Sequence, residues 1–213
     1  MRILIACCVV AALAWTVRAE DKPVAPKKPD AEKKAPEKKE NKGTKAPAFT
    51  LKNIEGKDVS LKDFKGKIVV IEWVNYNCPF VKKHYDKSGN MPALQKKYIG
   101  KGVVWIGICS SNPKHRDYRD GKNLKAAAKE RGAIYTALLM DADGKIGREY
   151  KARTTPHMFI IDKKGYVAYQ GAIDSVRSKD PADVKTATNY VSQVVDALLA
   201  GKKVPVAATQ PYG

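Results

Sequence analysis

Two unbroken apolar runs constrain the fold of this chain more than any other feature. They cover residues 68–71, leading into Glu72-Trp73-Val74, and residues 103–109. Continuous apolar runs, unlike alternating ones, are typical of strands that are covered on both faces, as in a central parallel sheet. Helical sequence lies between the two runs, and a strand, a helix and a second strand form a parallel crossover unit. The sequence therefore predicts an α/β fold.

The other predicted elements follow on both sides of these strands. Short strands are predicted at "FTLKN" and "DVSL" before them, and at "TALLM", "HMFIID" and "VAYQG" after them. Helices are predicted over residues 79–85, 92–99, 122–131 and 181–200. This order indicates a central mixed β-sheet flanked by helices. The last helix is expected to pack on the sheet through Val184, Thr188, Val191, Val195 and Leu198.

The two ends of the chain differ in composition from its middle. Residues 1–19 combine Arg2, an apolar core and Ala19 at a cleavage position, which is typical of a secretory signal peptide. Residues 20–46 are rich in Lys, Glu, Pro and Ala and too poor in apolar mass to offset the entropy of ordering. We therefore predict a disordered tether there, a folded domain over residues 47–201 and a C-terminal tail over residues 202–213.

The formal charge of +18 concerns possible partners rather than the fold. A basic cytosolic protein would suggest nucleic acid, but the predicted signal peptide places this chain in the periplasm or outside the cell. We therefore predict no nucleic-acid partner. The excess charge is expected to form a solvated surface, or to hold the lysine-rich tether on an anionic envelope polymer.

Cleavage of the signal peptide would remove Cys7 and Cys8 and leave Cys78 and Cys109. Two cysteines are too few for a disulfide framework in a domain of this size. The fate of a thiol in an oxidising compartment is then a functional question, and Cys78 is the stronger candidate.

Cys78 lies between the first apolar strand and Pro79, which suits the first position of a helix. Free backbone N–H groups and the helix dipole at such a start favour the thiolate, the form that attacks peroxides and disulfides. Lys82, Lys83 and His84 are expected to add positive potential. The end of a strand in an open α/β sheet is also where ligands usually bind. The alternative is a buried, inert cysteine.

Five stretches of the folded region carry a family resemblance: "APAFTLKNIEGKDVSLKDFKGKIVVIEW", "NCPFVKKHY", "NMPALQKKY", "GVVWIGICSS" and "RTTPHMFIIDKKGYVAYQGAID". With these stretches, residues 47–201 resemble a thioredoxin-fold redoxin of the AhpC/TSA and thioredoxin-like family, and "CPFVKKHY" resembles an exported bacterial subgroup. The resemblance implies a thioredoxin-like fold and a thiol-based oxidoreductase or peroxidase-like activity without a cofactor. It implies an external thiol reductant or a disulfide-bearing protein substrate as partner.

The resemblance also assigns roles to residues in the C-terminal half of the domain and to residues around Cys78. Thr155-Pro156 would be the cis-proline element that faces Cys78, and the main chain of Thr155 would pair with an extended substrate. The alternative is a trans proline that starts an edge strand. The residues expected to line the cleft are Trp73, Asn75, Tyr76, Pro79 and His157.

Three departures from the family pattern bear on mechanism. Val81 stands where a CxxC motif has its second cysteine, so Cys78 has no vicinal partner. Peroxiredoxins place Pro and Thr seven and three residues before the reactive cysteine, and this chain has Ile71 and Asn75 there. The peroxide-binding hydroxyl is therefore absent. Similar chains continue past Gly213 into a tail with another cysteine, which leaves open a resolving thiol there.

Cys109 ends the neighbouring strand and is a possible resolving thiol for Cys78. A disulfide requires α-carbons within about 7 Å of each other. The alternative is a buried small residue that closes a core strand.

A metal site built from the cysteines with His84, His115 and His157 is a further alternative. The two cysteines are 31 positions apart, unlike the closely spaced cysteines of copper-delivery proteins, so no metal is predicted.

Two functional hypotheses remain. The first is an exported thiol-dependent oxidoreductase that uses Cys78 as a single attacking thiol on hydroperoxides or disulfides. The second is a non-catalytic thioredoxin-fold binding module that holds a metal or a partner peptide.

Overall fold

A computed structural model describes residues 43–213 of the chain. The predicted signal peptide, residues 1–19, and residues 20–42 of the predicted tether lie outside the described residues. Within the described part, none of the helices has the length and apolar character needed to cross a membrane.

Seven strands form one mixed sheet. They are β1 Thr50–Asn53, β2 Asp58–Ser60, β3 Val69–Trp73, β4 Val104–Cys109, β5 Ala137–Met140, β6 His157–Ile161 and β7 Val167–Gly171. Their order across the sheet is β2-β1-β5-β4-β3-β6-β7. β3, β4 and β5 are parallel to one another, and the remaining pairs are antiparallel. The predicted parallel crossover and the predicted mixed sheet are both confirmed.

The helices pack on this sheet. They are α1 Pro79–Lys82, α2 Asn90–Ile99, α3 Gly121–Glu130, α4 Lys145–Glu149 and α5 Tyr190–Leu199. α1 continues directly into a π-helical turn, Lys83–Lys87, and short 3-10 helices cover Leu61–Phe64 and Pro181–Lys185.

The central strands are buried on both faces. Every residue of β3 and β4 is buried, which is why their sequences do not alternate. Val70 belongs to an apolar cluster shared with α2, α3 and α5, whereas Ile71 belongs to a second cluster shared with α4. The two successive side chains therefore lie in cores on opposite faces, and the sheet holds its strand ends in fixed positions between them.

The predicted helix over residues 181–200 is wrong in its first half. Pro181–Lys185 is a 3-10 helix, and α5 starts only at Tyr190. The break has a local cause, because the side chain of Asn189 accepts a hydrogen bond from Ser192 N at 2.9 Å and caps a new helix. Val184 and Thr188 consequently precede α5. Its buried face consists of Val191, Val194 and Val195.

α4 was not predicted. It is only five residues long, and it depends on a side chain that precedes it. Asp141 accepts hydrogen bonds from Ile146 N at 3.1 Å and from Gly147 N at 2.9 Å, which satisfies free amides at the helix start.

The outer edge of β7 is covered by segments from both ends of the described chain. Val167 N donates to Thr44 O at 2.9 Å. At the other end of the strand, Gln170 N donates to Ala207 O at 3.1 Å and Gln170 O accepts from Thr209 N at 3.1 Å. The segment of residues 207–209 therefore pairs with β7, and the chain continues from there to Gly213, which lies against Thr155, just before β6.

Candidate functional site

Cys78 lies immediately before α1, in the loop that follows β3. It is the N-cap residue, Pro79 occupies the first turn, and the amides of Val81 and Lys82 donate to the Cys78 carbonyl at 3.1 Å and 3.0 Å. The Cys78 side chain is half-buried, and Pro79 is exposed beside it. The cysteine is thus at a helix start, as expected, but its sulfur makes no hydrogen bond to the helix amides.

The sulfur of Cys78 instead faces the segment before β6. Its thiol donates a hydrogen bond to the carbonyl oxygen of Thr155, with Sγ and O 2.8 Å apart, across a sequence separation of 77 residues. The Thr155-Pro156 peptide bond is cis, so this expectation is confirmed. Thr155 is half-buried and Pro156 is buried. The fold therefore brings together the three residues to which the resemblance assigned catalysis.

This contact corrects the expectation that the helix amides hold the sulfur. The sulfur contacts a carbonyl oxygen and has no hydrogen bond from the amides of α1. The arrangement is that of a resting thiol held by Thr155. Attack on a substrate by Cys78 would require the sulfur to leave this contact.

Two of the three basic side chains expected to favour the thiolate turn inward. Lys83 is 1% exposed, and its Nζ lies 3.2 Å from Asp174 Oδ2 and donates to Val176 O at 2.6 Å. Asp174 compensates its charge. Lys82 is exposed. The π-helical turn that starts at Lys83 ends the α-helical register in which these side chains were expected to lie.

His84 lies beside Lys83 in the same buried cluster. Its Nε2 is 3.2 Å from Tyr212 Oη, and Asn90 Nδ2 is 2.9 Å from its Nδ1. Burial lowers the pKa of His84 to about 4, against the opposing charge of Asp174. The hydroxyl of Tyr212 in turn donates to Asp174 Oδ1. A neutral imidazole that donates from Nε2 and accepts at Nδ1 satisfies all of these contacts.

Hydrogen bonds hold the loop before Cys78. Asn77 N donates to the side-chain oxygen of Asn75 at 2.9 Å, and Asn77 Nδ2 donates to Asp117 Oδ1 at 2.9 Å. Arg119 Nη2 donates to Asn77 Oδ1 at 2.8 Å. The bond from Asn77 lowers the pKa of the Asp117 carboxyl. Asn75 is therefore engaged within the loop, and Asp117 and Arg119 are parts of the site that the sequence did not reveal.

Trp73 and Tyr76 were expected to line the cleft, but both side chains are buried beneath the loop that carries Cys78. Trp73 and Tyr76 are 3% and 1% exposed. Trp73 Nε1 donates to Ser110 Oγ at 3.0 Å, and the Tyr76 hydroxyl donates to that of Tyr135 at 3.1 Å. Their rings fix the loop and present almost no surface to a substrate.

His157, the first residue of β6, is also buried, with 4% of its surface exposed. Its Nδ1 accepts from Arg153 N at 3.3 Å. Burial, and secondarily the charge of Arg153, lower its pKa to about 4. A neutral His157 thus helps to fix the turn that carries Thr155.

Glu72 is a buried acid that was not identified as a site residue. Tyr85 donates to its two carboxyl oxygens at 3.0 Å and 2.8 Å, Tyr135 donates at 3.2 Å and Trp105 Nε1 at 3.4 Å. Burial raises its pKa to about 7, and the bond from Tyr85 opposes this rise. One acid within an otherwise apolar strand is the signal that would have identified it.

Cys109 ends β4 and is 4% exposed, with its Sγ 3.6 Å from Ser111 Oγ. Both cysteines in residues 43–213 are free, and Cys78 packs against the apolar cluster that contains Cys109. The resolving role of Cys109 stays a prediction.

The histidines do not form a common site. His84 and His157 are buried in separate hydrogen-bond networks, and His115 is exposed, with its Nδ1 accepting from Asp117 N at 3.1 Å. Within the described part of the chain, no three His, Cys, Asp or Glu side chains converge as metal ligands.

Comparisons with known proteins show which redox proteins this chain resembles. The sequence profile of the AhpC/TSA family matches residues 42–170. The chain is 31% identical over 134 residues to the thiol-disulfide oxidoreductase ResA of Bacillus thuringiensis, covering 62% of this chain and 69% of ResA. It is 33% identical over 136 residues to the chloroplastic peroxiredoxin Q of Gentiana triflora, covering 61% of this chain and 58% of that protein.

Solved structures show the same architecture. An uncharacterized conserved protein from Geobacillus kaustophilus superposes with a TM-score of 0.67 at 28% identity, covering 80% of this chain and 87% of that one. A thiol:disulfide interchange protein of the thioredoxin family from Chlorobium tepidum TLS superposes with a TM-score of 0.52 at 23% identity, covering 75% and 99%. These structures, the sheet order and the flanking helices identify the fold as thioredoxin-like.

Proposed function

Because this chain belongs to the AhpC/TSA family, we propose that it is an exported thiol-dependent oxidoreductase in which Cys78 is the single attacking thiol. One observation carries the proposal: the half-buried Cys78 thiol lies 2.8 Å from the Thr155 carbonyl, at the carboxyl end of β3 and before α1. Thr155 and Pro156 orient the substrate backbone.

The chemistry takes one of two forms. With a hydroperoxide, the Cys78 thiolate attacks the O–O bond, sulfenic acid forms, and the leaving oxygen takes a proton as an alcohol or water. With a disulfide, the thiolate forms a mixed disulfide and the other sulfur leaves as a thiolate. One external thiol converts the sulfenic acid into a mixed disulfide and water, and a further external thiol then attacks the mixed disulfide and releases Cys78 as a thiol. If Cys109 attacks Cys78 instead, water or the bound thiol leaves, a Cys78–Cys109 disulfide forms, and two external thiols reduce it to two thiols.

Disulfide exchange is the better supported of the two reactions. Asn75 stands where peroxiredoxins have the threonine whose hydroxyl binds peroxide; an asparagine has no hydroxyl, and its side-chain oxygen already accepts from Asn77 N. Ile71, at the proline position of that pattern, is buried in β3. The similarity to a thiol-disulfide oxidoreductase supports a disulfide-bearing protein as substrate, and the similarity to peroxiredoxin Q keeps the peroxide reaction as the second choice.

A binding module without turnover is the alternative function. The observation in its favour is that the Cys78 thiol donates to a carbonyl and has Val81 in place of a second cysteine. Such a module would hold a partner peptide along Thr155. The rate of alkylation at about pH 6 separates the two functions, because an activated thiol reacts faster there than an ordinary thiol.

Replacement of the sulfur tests the proposal directly. Turnover of a model disulfide and of hydrogen peroxide, each with an excess of a thiol reductant, is expected to disappear in Cys78→Ser. Cys109→Ser tests whether Cys109 is the resolving thiol. If it is, turnover in this variant depends more strongly on the concentration of external thiol than turnover of the parent chain does. If it is not, the dependence is unchanged. Full turnover in Cys78→Ser would remove the proposal.

The location of the protein is part of the same proposal. The composition of residues 1–19 supports export, and the lysine-rich composition of residues 20–46 supports association with an anionic envelope polymer. Deletion of residues 20–42, which keeps the hydrogen bond between Thr44 and β7, is expected to release the domain from such a polymer at low salt. Equal retention of both forms would contradict this association.

A further inference from the structure

Gly213 lies against the same peptide group that Cys78 contacts. A Cβ placed on Gly213 would collide with the Thr155 carbonyl oxygen and would lie 3.1 Å from Thr154 Cβ. That carbonyl oxygen accepts the hydrogen bond of the Cys78 thiol at 2.8 Å. Gly213 and Cys78 therefore flank one carbonyl group of the candidate site.

Tyr212 anchors this contact. It is 4% exposed, and its hydroxyl donates to Asp174, which is paired with Lys83 at 3.2 Å. His84 Nε2 lies 3.2 Å from the same hydroxyl, and the ring of Phe80 on α1 lies 5.7 Å from the Tyr212 ring. A side chain held by a buried ion pair, an imidazole and a second ring has a fixed position beside α1.

The residues before Tyr212 direct the chain towards the site. The Thr209 hydroxyl lies 2.6 Å from the Tyr169 hydroxyl and accepts from Ala172 N at 3.0 Å. Gly171 permits this approach, because a Cβ there would collide with Thr209. The contacts of Thr209 thus hold the segment against the end of β7, from where it continues to Thr155.

We infer that residues 211–213 occupy the place beside Thr155 at which an extended polypeptide substrate would pair with the main chain. This inference rests on the proposed function, with Cys78 as the attacking thiol. Small disulfides and peroxides reach the half-buried sulfur while the segment is in place. A polypeptide disulfide must first displace the segment. Its reaction rate is therefore reduced in proportion to the fraction of molecules in which the segment is displaced.

Two probes with one leaving group test this selectivity. The first is a short cysteine peptide in a mixed disulfide with thionitrobenzoate, and the second is the small disulfide dithiobis(nitrobenzoate). In each case the Cys78 thiolate attacks a sulfur, the S–S bond breaks, and thionitrobenzoate leaves as a coloured thiolate while the Cys78 proton passes to the buffer. The rate that Cys78→Ser abolishes is the rate assigned to this thiol.

Three variants of the full chain are compared. Deletion of Gly213 clears the Thr155 carbonyl and keeps the bond between Tyr212 and Asp174, whereas Tyr212→Ala removes the anchor. Val206→Ala is the matched control, because Val206 packs against the core in the same segment, upstream of the site. We expect the peptide rate to rise about tenfold in the first two variants, the small-disulfide rate to change by less than about threefold, and the control to change neither.

Equal increases of both rates would overturn the inference. They would indicate that the variants make Cys78 more accessible to every disulfide, and not that they free the place beside Thr155 for a polypeptide. An unchanged peptide rate in both test variants would also overturn it. The Gly213 deletion keeps the test decisive if Tyr212→Ala lowers stability, which thermal unfolding reports. If Cys78→Ser left the release of thionitrobenzoate intact in every variant, the proposed function itself would fail together with the inference.

Discussion

The thiol of Cys78 donates a hydrogen bond to the carbonyl oxygen of Thr155 at 2.8 Å, although the two residues are 77 positions apart in the sequence. The contact joins the start of α1 to the segment before β6. It fixes the half-buried sulfur in the position from which the proposed exchange reaction would begin.

Restoring a second cysteine tests whether the site still has the geometry of a dithiol enzyme. In Val81→Cys, the new thiol is three residues from Cys78 on α1, where side chains share a helix face. We expect an intramolecular disulfide to form on oxidation and the mixed disulfide to be released about tenfold faster or more. The measurement is the thiol count and the release rate after oxidation. Phe80→Cys, two residues from Cys78, is the control, and equal behaviour of the two variants would contradict the prediction.

Glu72 should make stability fall as the pH rises. Its pKa is raised from 4.5 to about 7 in the folded protein, so its contribution is complete below 4.5 and is lost as the pH rises through about 7. As the pH rises across that interval, the free energy of unfolding of Glu72→Gln should therefore increase by about 3 kcal/mol relative to that of the parent chain. Urea unfolding at a series of pH values measures the difference. Glu149→Gln, at an exposed position, should run parallel to the parent, and a parallel curve for Glu72→Gln would refute the prediction.

His157 should act in the opposite direction. Its pKa is lowered from 6.5 to about 4, so its contribution is present above 6.5 and is lost as the pH falls through about 4. The parent chain should lose about 3 kcal/mol of unfolding free energy over that interval because of His157, and His157→Gln should not show this loss. Urea unfolding measures the difference. His115→Gln is the control, since His115 is exposed. An unchanged acid sensitivity in His157→Gln would show that another group dominates.

The buried pair of Lys83 and Asp174 should be costly to break. Asp174→Asn leaves the Lys83 charge without its partner in a region where both side chains are at most 2% exposed. We expect the free energy of unfolding to fall by about 3–5 kcal/mol, because an isolated charge stays buried. Urea unfolding measures this loss.

The exposed pair of Lys52 and Asp58, at 2.8 Å, provides the comparison for that experiment. Asp58→Asn should cause no measurable loss, because solvent screens an exposed pair. Adding Lys83→Met to the Asp174→Asn chain should recover part of its stability. A loss no larger than that of Asp58→Asn would mean that water reaches the buried site.

The central strands could be predicted because the cause of their sequence pattern is local. β3 and β4 are apolar throughout since both of their faces are covered, and the start of α1 at Pro79 follows from proline chemistry. The cis bond at Pro156 was expected from a resemblance rather than from the residues themselves.

The inward turn of Lys83 was not predictable from its neighbours, because it depends on Asp174, 91 positions away. The burial of Tyr212 was also missed. Its partner Asp174 is distant in the sequence, and the segment around Tyr212 shows no apolar periodicity. The Asn189 cap that divides the last helix is local, but the unbroken apolar pattern around it obscured the break. The sequence thus predicts positions along strands better than it predicts partners from distant segments.

The coverage of β7 also affects how the protein behaves at high concentration. Thr44 binds one end of this outermost strand and Ala207 binds the other, so part of its row of peptide groups is already occupied within the molecule. A bare sheet edge is a template onto which a neighbouring molecule adds its own strand, the first step towards insoluble assemblies. The segments that flank the domain thus restrict such growth on that side of the sheet.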